Sequence, residues 1–386
     1  MKQFYSDNVF DAAVKRMVEV YRDGHRVIVA FSAGKDSTAT LEIALIAARL
    51  TGNLPVEVWI RDEEIMYPGT YEYAERVAGR PETNLHWLIS GQASLNVFNR
   101  KNPYYWVFDD LLQPDQWMRQ PPPFAQRTPH QSLYDIINPG TFPPPDGKKL
   151  YVTMGIRGQE SRRRNMIIHQ SGGATSGATR GKGSVIDKTL EMHFRPIYDW
   201  STQDVWLAIK EKGWDFNDAY NVMTRFGIKR EQQRIAPVTM TVHGAPLLKM
   251  ASRAWPEWFE RLCHRLPGVK LASLYGKQAL SPIRRPDETW KQAYQRLNID
   301  DAPKWIAKRA AQYRDSVERQ HGKHSTDDIQ EIAACPTCVG LSWMKMTHDM
   351  YFGDPFLLNV NCPALCYLEP EDMRPGAGKF GGKPTF

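Results

Sequence analysis

Six consecutive residues, Ser32-Ala-Gly-Lys-Asp-Ser37, bring together hydroxyls, a glycine, a lysine and a carboxylate. Before them runs Arg26-Val-Ile-Val-Ala-Phe31, short, continuous and β-branched, as a buried parallel strand should be. After them, Thr38 to Leu50 is rich in Ala, Leu and Ile at helical spacing. A tight turn between strand and helix points backbone N–H groups at an anion, and the helix dipole adds positive potential. In such a turn Gly34 permits close backbone approach, Lys35 supplies a point charge for phosphate, and Ser32, Ser37 and Thr38 offer hydroxyl donors. Asp36 sits badly beside a phosphate unless it binds Mg²⁺ or ties the loop by hydrogen bonds. The run lacks the upstream glycine of a Walker A loop.

A second concentration of chemistry is Gly155-Ile-Arg-Gly-Gln-Glu-Ser-Arg-Arg-Arg164. Arg157, Arg162, Arg163 and Arg164 crowd one carboxylate, Glu160, directly after the apolar run Leu150-Tyr-Val-Thr-Met154. That density of guanidinium groups suits bidentate recognition of phosphate or sulfate. A third lies near the C-terminus, where Cys335-Pro-Thr-Cys338 and Cys362-Pro-Ala-Leu-Cys366 give C-x2-C-x23-C-x3-C. Tightly spaced cysteine pairs form two halves of a tetrahedral thiolate cage, so structural Zn²⁺ is expected. A [4Fe–4S] cluster is the alternative, and four unrelated buried thiols the third. Cys263 stands alone, and His324 and His348 are not counted as ligands.

Stepping outward, strands are expected at Pro55 to Ile60 and Leu85 to Ile89, with a crossover helix from Tyr71 to Ala78 between them. A helix from Phe10 to Tyr21 precedes the first strand. Strands alternating with helices predict an α/β fold built on a doubly wound, mostly parallel sheet. Gln92 to Lys149 interrupts it as a long insertion carrying Tyr104-Tyr-Trp106, Trp117, Pro121-Pro-Pro123 and Pro143-Pro-Pro145, read as an ordered but irregular arm that shapes a substrate pocket or docks a partner, or else as a packing flap. Ser171 to Ser184 is rich in glycine and serine, a lid candidate or a plain flexible loop. Beyond Pro237, helices are expected around Trp255 to Leu262, Thr289 to Leu297 and Pro303 to Arg319. The domains expected are 1–236 for the nucleotide (with insertion 92–149), 237–330 helical, 331–370 for the four-cysteine metal module, and 371–386 as a flexible tail.

The loop resembles the PP-loop, SGGxDS/T, of the ATP pyrophosphatase superfamily, with Ala33 at its first glycine. The arginine segment is similar to the GxRxxES-x-x-R element of the phosphoadenosine-phosphosulfate (PAPS) reductase branch. Phe194-Arg-Pro-Ile-Tyr-Asp-Trp-Ser-Thr-Gln-Asp-Val-Trp206 resembles its PL-x-DWT-x-x-DVW segment, which reads as scaffolding: Ser201 is an N-cap, Asp204 lies in the first turn, and Asp199 is a weaker site candidate. The resemblance covers roughly Val27 to Lys210. It implies an adenine nucleotide alpha-hydrolase-like fold, with ATP and Mg²⁺ as cofactors. Lys35, Asp36, Arg157 and Arg164 would then be catalytic. Ser32, Gly34, Ser37, Thr38, Asp62, Gly155, Glu160 and Ser161 would contact the nucleotide. Asp62 or Glu63, in Arg61-Asp-Glu-Glu64, would face the adenosine or a metal, as residues after this strand do in relatives, unless the turn is merely solvated; Tyr67 and Pro68 continue the same pattern. DNA-phosphorothioation members of the superfamily likewise join a PP-loop to a cysteine-bound iron–sulfur centre.

The resemblance implies cleavage of ATP between the α- and β-phosphates to adenylylate an acceptor: a nucleobase, a tRNA position or a sulfur-transfer chain. True PAPS reduction needs a nucleophilic cysteine on an ECGLH-like segment, which this sequence lacks. A nucleotide-binding regulator without turnover, working with a nucleic-acid-binding partner, is the other reading, since some PAPS-reductase-like proteins sit beside ParB-like ones. The net charge of +7 over 386 residues permits a nucleic-acid partner without demanding one. A hydrophobic fraction of 42% is that of a globular protein, and no apolar run approaches the roughly 18 residues a membrane span needs. Asp7 and Asp11 interrupt any apolar leader, so a cytoplasmic home is expected.

Overall fold

The computed structural model describes residues 8–128, 136–170, 173–177, 188–240, 245–276, 281–335, 340–376 and 378–380. Two units emerge, Met1–Gln92 with Trp117–Pro237, and Ala93–Gln116 with Val238–Phe386. In chain order the strands are β1 (Arg26–Ala30), β2 (Val56–Arg61), β3 (Thr83–Ile89), β4 (Ala93–Leu95), β5 (Tyr104–Trp106), β6 (Gln126–Arg127), β7 (Leu150–Met154), β8 (Thr175–Gly177) and β9 (Glu191–Phe194). Helices of the first unit are α1 (Val9–Arg22), α2 (Lys35–Thr51), α3 (Thr70–Ala78), α4 (Arg162–Gln170), α5 (Thr202–Lys212) and α6 (Ala219–Arg225).

Among the described residues the first unit holds a seven-stranded sheet in the order β6–β3–β2–β1–β7–β9–β8. All neighbours run parallel except β8, which is antiparallel to β9 at the edge. The chain moves outward from β1 through β2 and β3 to β6, then returns to lay β7 on the other side of β1. The strand order therefore reverses between β1 and β7, and in open α/β sheets the ligand crevice lies outside the carboxyl ends of the strands at such a point.

Period-two alternation in β1 buries both faces. Val27 and Val29 join α1, α2, α3 and α5 in one core, whereas Ile28 faces Trp59, Leu88, Leu150 and Val152 on the other side. Ile136, Ile137 and Phe142 cover that second face. The latter part of the insertion is thus a packed crossover, and the segment Ala93–Gln116 belongs to the second unit. Leu41, Ile43 and Leu45 of α2 are fully buried, each contributing about 1.5–3 kcal/mol. Gly52, at φ 73°, ends the helix in the left-handed conformation that glycine tolerates. A reciprocal cap starts α5: Asp204 N donates to Ser201 Oγ at 3.1 Å, and Ser201 N donates to Asp204 Oδ2 at 2.7 Å.

The second unit joins the β4–β5 hairpin to helices α7 (Ala245–Ala254), α8 (Pro256–Arg265), α9 (Val269–Tyr275), α10 (Trp290–Gln295), α11 (Lys304–His321), α12 (Trp343–Met350) and α13 (Pro370–Met373). The helix expected from Thr289 to Leu297 is shorter, because at Arg296 it widens into a π turn that runs to Asp300. Within that turn Asn298 is buried and donates from Nδ2 to Thr347 O at 3.1 Å. Most of the glycine- and serine-rich run 171–184 lies outside the described residues, as do 377 and 381–386 of the tail. The described piece of that run corrects the reading as loop, since Thr175–Gly177 forms the edge strand β8. Among the described residues no helix is long and apolar enough to cross a membrane.

Candidate functional site

The turn from β1 into α2 is held by side chains from within and from afar. Ser37 Oγ accepts from Ser32 N and Gly34 N, both at 3.2 Å, and donates to Gly34 O at 2.9 Å. Asn217 reaches in from the turn before α6 and donates from Nδ2 to Ala33 O at 3.1 Å and to Thr70 Oγ1 at 3.0 Å. Lys35 N donates to the hydroxyl of Tyr220 at 2.9 Å. Burial pushes the Tyr220 phenol well above its ordinary pKa, so it keeps its proton. Ala33, fully buried, adopts φ 55°, the left-handed region that glycine tolerates best. Neither Asn217 nor Tyr220 was expected from sequence. Asn217-Asp218 reads as a helix start, but nothing in it announces contact with residues 33–35.

Asp36 ties two cations together. Its Oδ1 accepts from Arg157 Nε at 2.6 Å and its Oδ2 from Lys35 Nζ at 3.0 Å. Lys35 is 4% exposed and Arg157 2%, so two buried positive charges share one carboxylate. Of the two roles open to Asp36, holding Mg²⁺ or tying the loop, both of its oxygens serve the second. Arg157 extends to Trp200 O at 3.4 Å and Thr202 Oγ1 at 3.3 Å, joining the turn to the start of α5.

Gly155 explains how β7 comes so close. A Cβ there would lie 2.6 Å from the carbonyl carbon of Asp36 and 2.8 Å from Ser37 N, both backbone atoms. Only glycine lets the end of β7 rest on the first turn of α2. Gly34 is less constrained, since its added Cβ would meet Ser32 Oγ at 3.4 Å. Thr38 is fully buried, with its hydroxyl 3.0 Å from that of Tyr73. Ser32 is exposed at the mouth of the turn.

Beyond Arg157, Ser161 Oγ caps α4 by accepting from Arg164 N at 3.1 Å. Glu160 pairs with Arg164 and lies 3.6 Å from Arg234. Arg162, Arg164 and Arg234 are exposed, a basic rim beside the buried cluster. Asp199 pairs with Arg16 of α1, and Trp200 Nε1 donates to Val9 O at 2.9 Å, so this segment anchors α1.

The acidic turn after β2 is closed rather than solvated. Asp62 is 1% exposed. Its Oδ2 accepts from Trp87 Nε1 at 2.8 Å and from Arg119 Nη2, and its Oδ1 accepts from Glu64 N at 2.9 Å. Arg119 also lies 3.4 Å above the Tyr71 ring. Glu63 pairs with Arg61, and Glu64 accepts from Met118 N at 3.1 Å. Every oxygen of Asp62 that could face adenosine is thus engaged by protein donors.

In the second unit Cys335 and Cys362 are buried and Cys366 is exposed, while Cys338 lies outside the described residues. Arg309 donates to Cys366 O at 2.6 Å and to Gly353 O and Asp354 O, both at 2.8 Å. The described cysteines form no disulfide, and no group of three or more metal-ligating side chains gathers among the described residues.

No protein-family model matches the chain. Among solved structures, it is similar to a phosphoadenylyl-sulfate (PAPS) reductase from Candida auris in phosphate complex. The identity is 16%, the coverage 57% of this chain and 93% of that one, and the TM-score 0.29. Among curated proteins, it is 23% identical over 329 residues to a protein of Escherichia coli (strain K12) named uncharacterized protein YbdN, covering 80% of this chain and 78% of that one.

Proposed function

We propose that the chain binds ATP over the turn at residues 32–38 and transfers its adenylyl group to an acceptor. One observation carries this reading: Lys35, Asp36 and Arg157 leave a surplus positive charge buried where the strand order reverses, at the positive end of α2. Burying that charge is unfavourable until an anion joins it. A polyphosphate supplies such an anion, and the exposed Arg162, Arg164 and Arg234 extend the same field outward. Mg²⁺ enters as the complex of ATP.

In this reading a nucleophilic oxygen or nitrogen of the acceptor attacks the α-phosphorus. The bond from that phosphorus to the bridging oxygen breaks, and its electron pair leaves with pyrophosphate. Lys35 neutralises charge on the transferring group, and the loop amides orient it. Asp36 and Arg157 hold Lys35 and the end of β7 in place.

The test incubates the chain with Mg²⁺ and ATP labelled at the α- or the γ-phosphate, beside a Lys35→Ala variant. AMP and pyrophosphate are expected, water standing in for the acceptor, with turnover reduced by about 100- to 1,000-fold in the variant. ADP and phosphate as products, or equal rates in both proteins, would overturn the proposal. Binding without turnover would favour the regulator.

A further inference from the structure

One side chain of the Phe194 to Trp206 segment takes no part in anchoring α1 or capping α5. Arg195, at the C-terminal end of β9, is 6% exposed. Its Nη2 donates to Ser176 Oγ of β8 at 2.9 Å. Its Nη1 is buried with no hydrogen-bond acceptor among the described residues. Among the described residues no carboxylate compensates it. Burial alone acts on its basicity, lowering it, and Glu191 on the same strand lies 3.4 Å from His193 instead.

Other buried arginines of the molecule differ. Arg157 has the Asp36 carboxylate, and Arg309 places three of its nitrogens on carbonyl oxygens. A guanidinium withdrawn from water with a single hydroxyl partner is unfavourable, and an anion would remove the deficit. Its position is also informative. β9 pairs with β7, and Gly158 N donates to Tyr198 O at 2.8 Å, so the residues after β9 run beside the Gly155–Gly158 segment on the edge that carries the Lys35 cluster.

We propose that Arg195 and Ser176 form a second anion subsite, which takes a compact oxyanion (sulfate, phosphate or carboxylate) borne by the acceptor of the adenylyl group. The subsite stands on Arg195 itself, and only the identification of its ligand as the acceptor rests on the reading above. The acceptor is then an acidic molecule, held by its charge while its nucleophile reaches the nucleotide.

The probe is inorganic sulfate, titrated into the full chain during thermal unfolding against sodium chloride of matched ionic strength. A saturable rise in midpoint is expected for the wild type, and part of it persists in Lys35→Ala. In that background Arg195→Met abolishes the remainder, and Ser176→Ala weakens it severalfold. Without sulfate, Arg195→Met unfolds at no lower temperature than its parent, because an uncompensated charge has been removed. A retained sulfate response in the Arg195→Met double variant overturns the proposal. So does a marked loss of sulfate-free stability or failure to fold, since the guanidinium would then be a structural tie. ATP turnover without an Arg195-dependent sulfate response leaves the nucleotide reading intact and removes the subsite. An Arg195-dependent response in a chain that binds no ATP does the reverse.

Discussion

Asp36 and Asp62 follow adjacent parallel strands at the same edge of one sheet, yet their surroundings are opposite. Asp36 is shared by two buried cations and leaves positive charge over. Asp62 lies among carboxylates, with both oxygens taken up by Arg119, Trp87 and a backbone amide. The first arrangement is electrostatically open and favours an added anion; the second is complete without one. A buried acidic residue beside a ligand crevice is therefore no sign of a ligand contact until its donors have been counted.

The largest effect that would sharpen this contrast is expected at the closed cluster. Asp62→Ala removes the carboxylate that Arg119 and Trp87 share and should lower stability by about 3–5 kcal/mol in urea unfolding. The folded fraction should keep its ATP affinity. A parallel loss of affinity without loss of stability would make Asp62 a ligand contact and erase the distinction.

A smaller effect belongs to the junction of β7 with α2. Gly155→Ala drives a Cβ onto the Asp36–Ser37 peptide and should cost about 1–3 kcal/mol, together with weaker ATP binding in a filter or calorimetric assay. Gly34→Ala, whose added carbon meets only ordinary contacts within the protein, serves as the internal control for stability alone. Equal stability of the two variants would show that β7 is not seated on the turn.

The smallest effect is expected at Ala33. Relief of its left-handed strain in Ala33→Gly outweighs the added freedom of the unfolded chain, raising stability by up to about 1 kcal/mol in thermal unfolding. Destabilisation would mean that the Ala33 methyl group packs more favourably than its backbone is strained.

What sequence could reveal followed from how local each signal is. Val27 to Val29 are apolar on both faces, and the glycine, lysine and serine lie within a single turn, so β1, its loop and α2 were legible without any distant partner. The pairing of Asp36 with Arg157 was not, since the two are joined only by the register of β1 against β7. β9 escaped notice because Glu191, His193 and Arg195 give one of its faces a polar row, where central strands show a continuous apolar run. For the latter part of the insertion the packing flap is the reading that fits, since Ile136, Ile137 and Phe142 seal the second face of the sheet; the proline and aromatic residues around them do not say which face they cover. For Asp62 the charged run left a nucleotide or metal contact and a solvated turn both open, because Arg119, which closes it, lies in that same insertion.

Gly155 has a mechanical consequence. At Gly155 itself no side chain separates the end of β7 from the first turn of α2, and peptide rests on peptide. Side-chain layers act as cushions, because a rotamer can yield before a backbone must move. Without such a cushion, the turn bearing Lys35 and the segment bearing Arg157 form a rigid hinge block, so a push on one displaces the other in step rather than being absorbed between them.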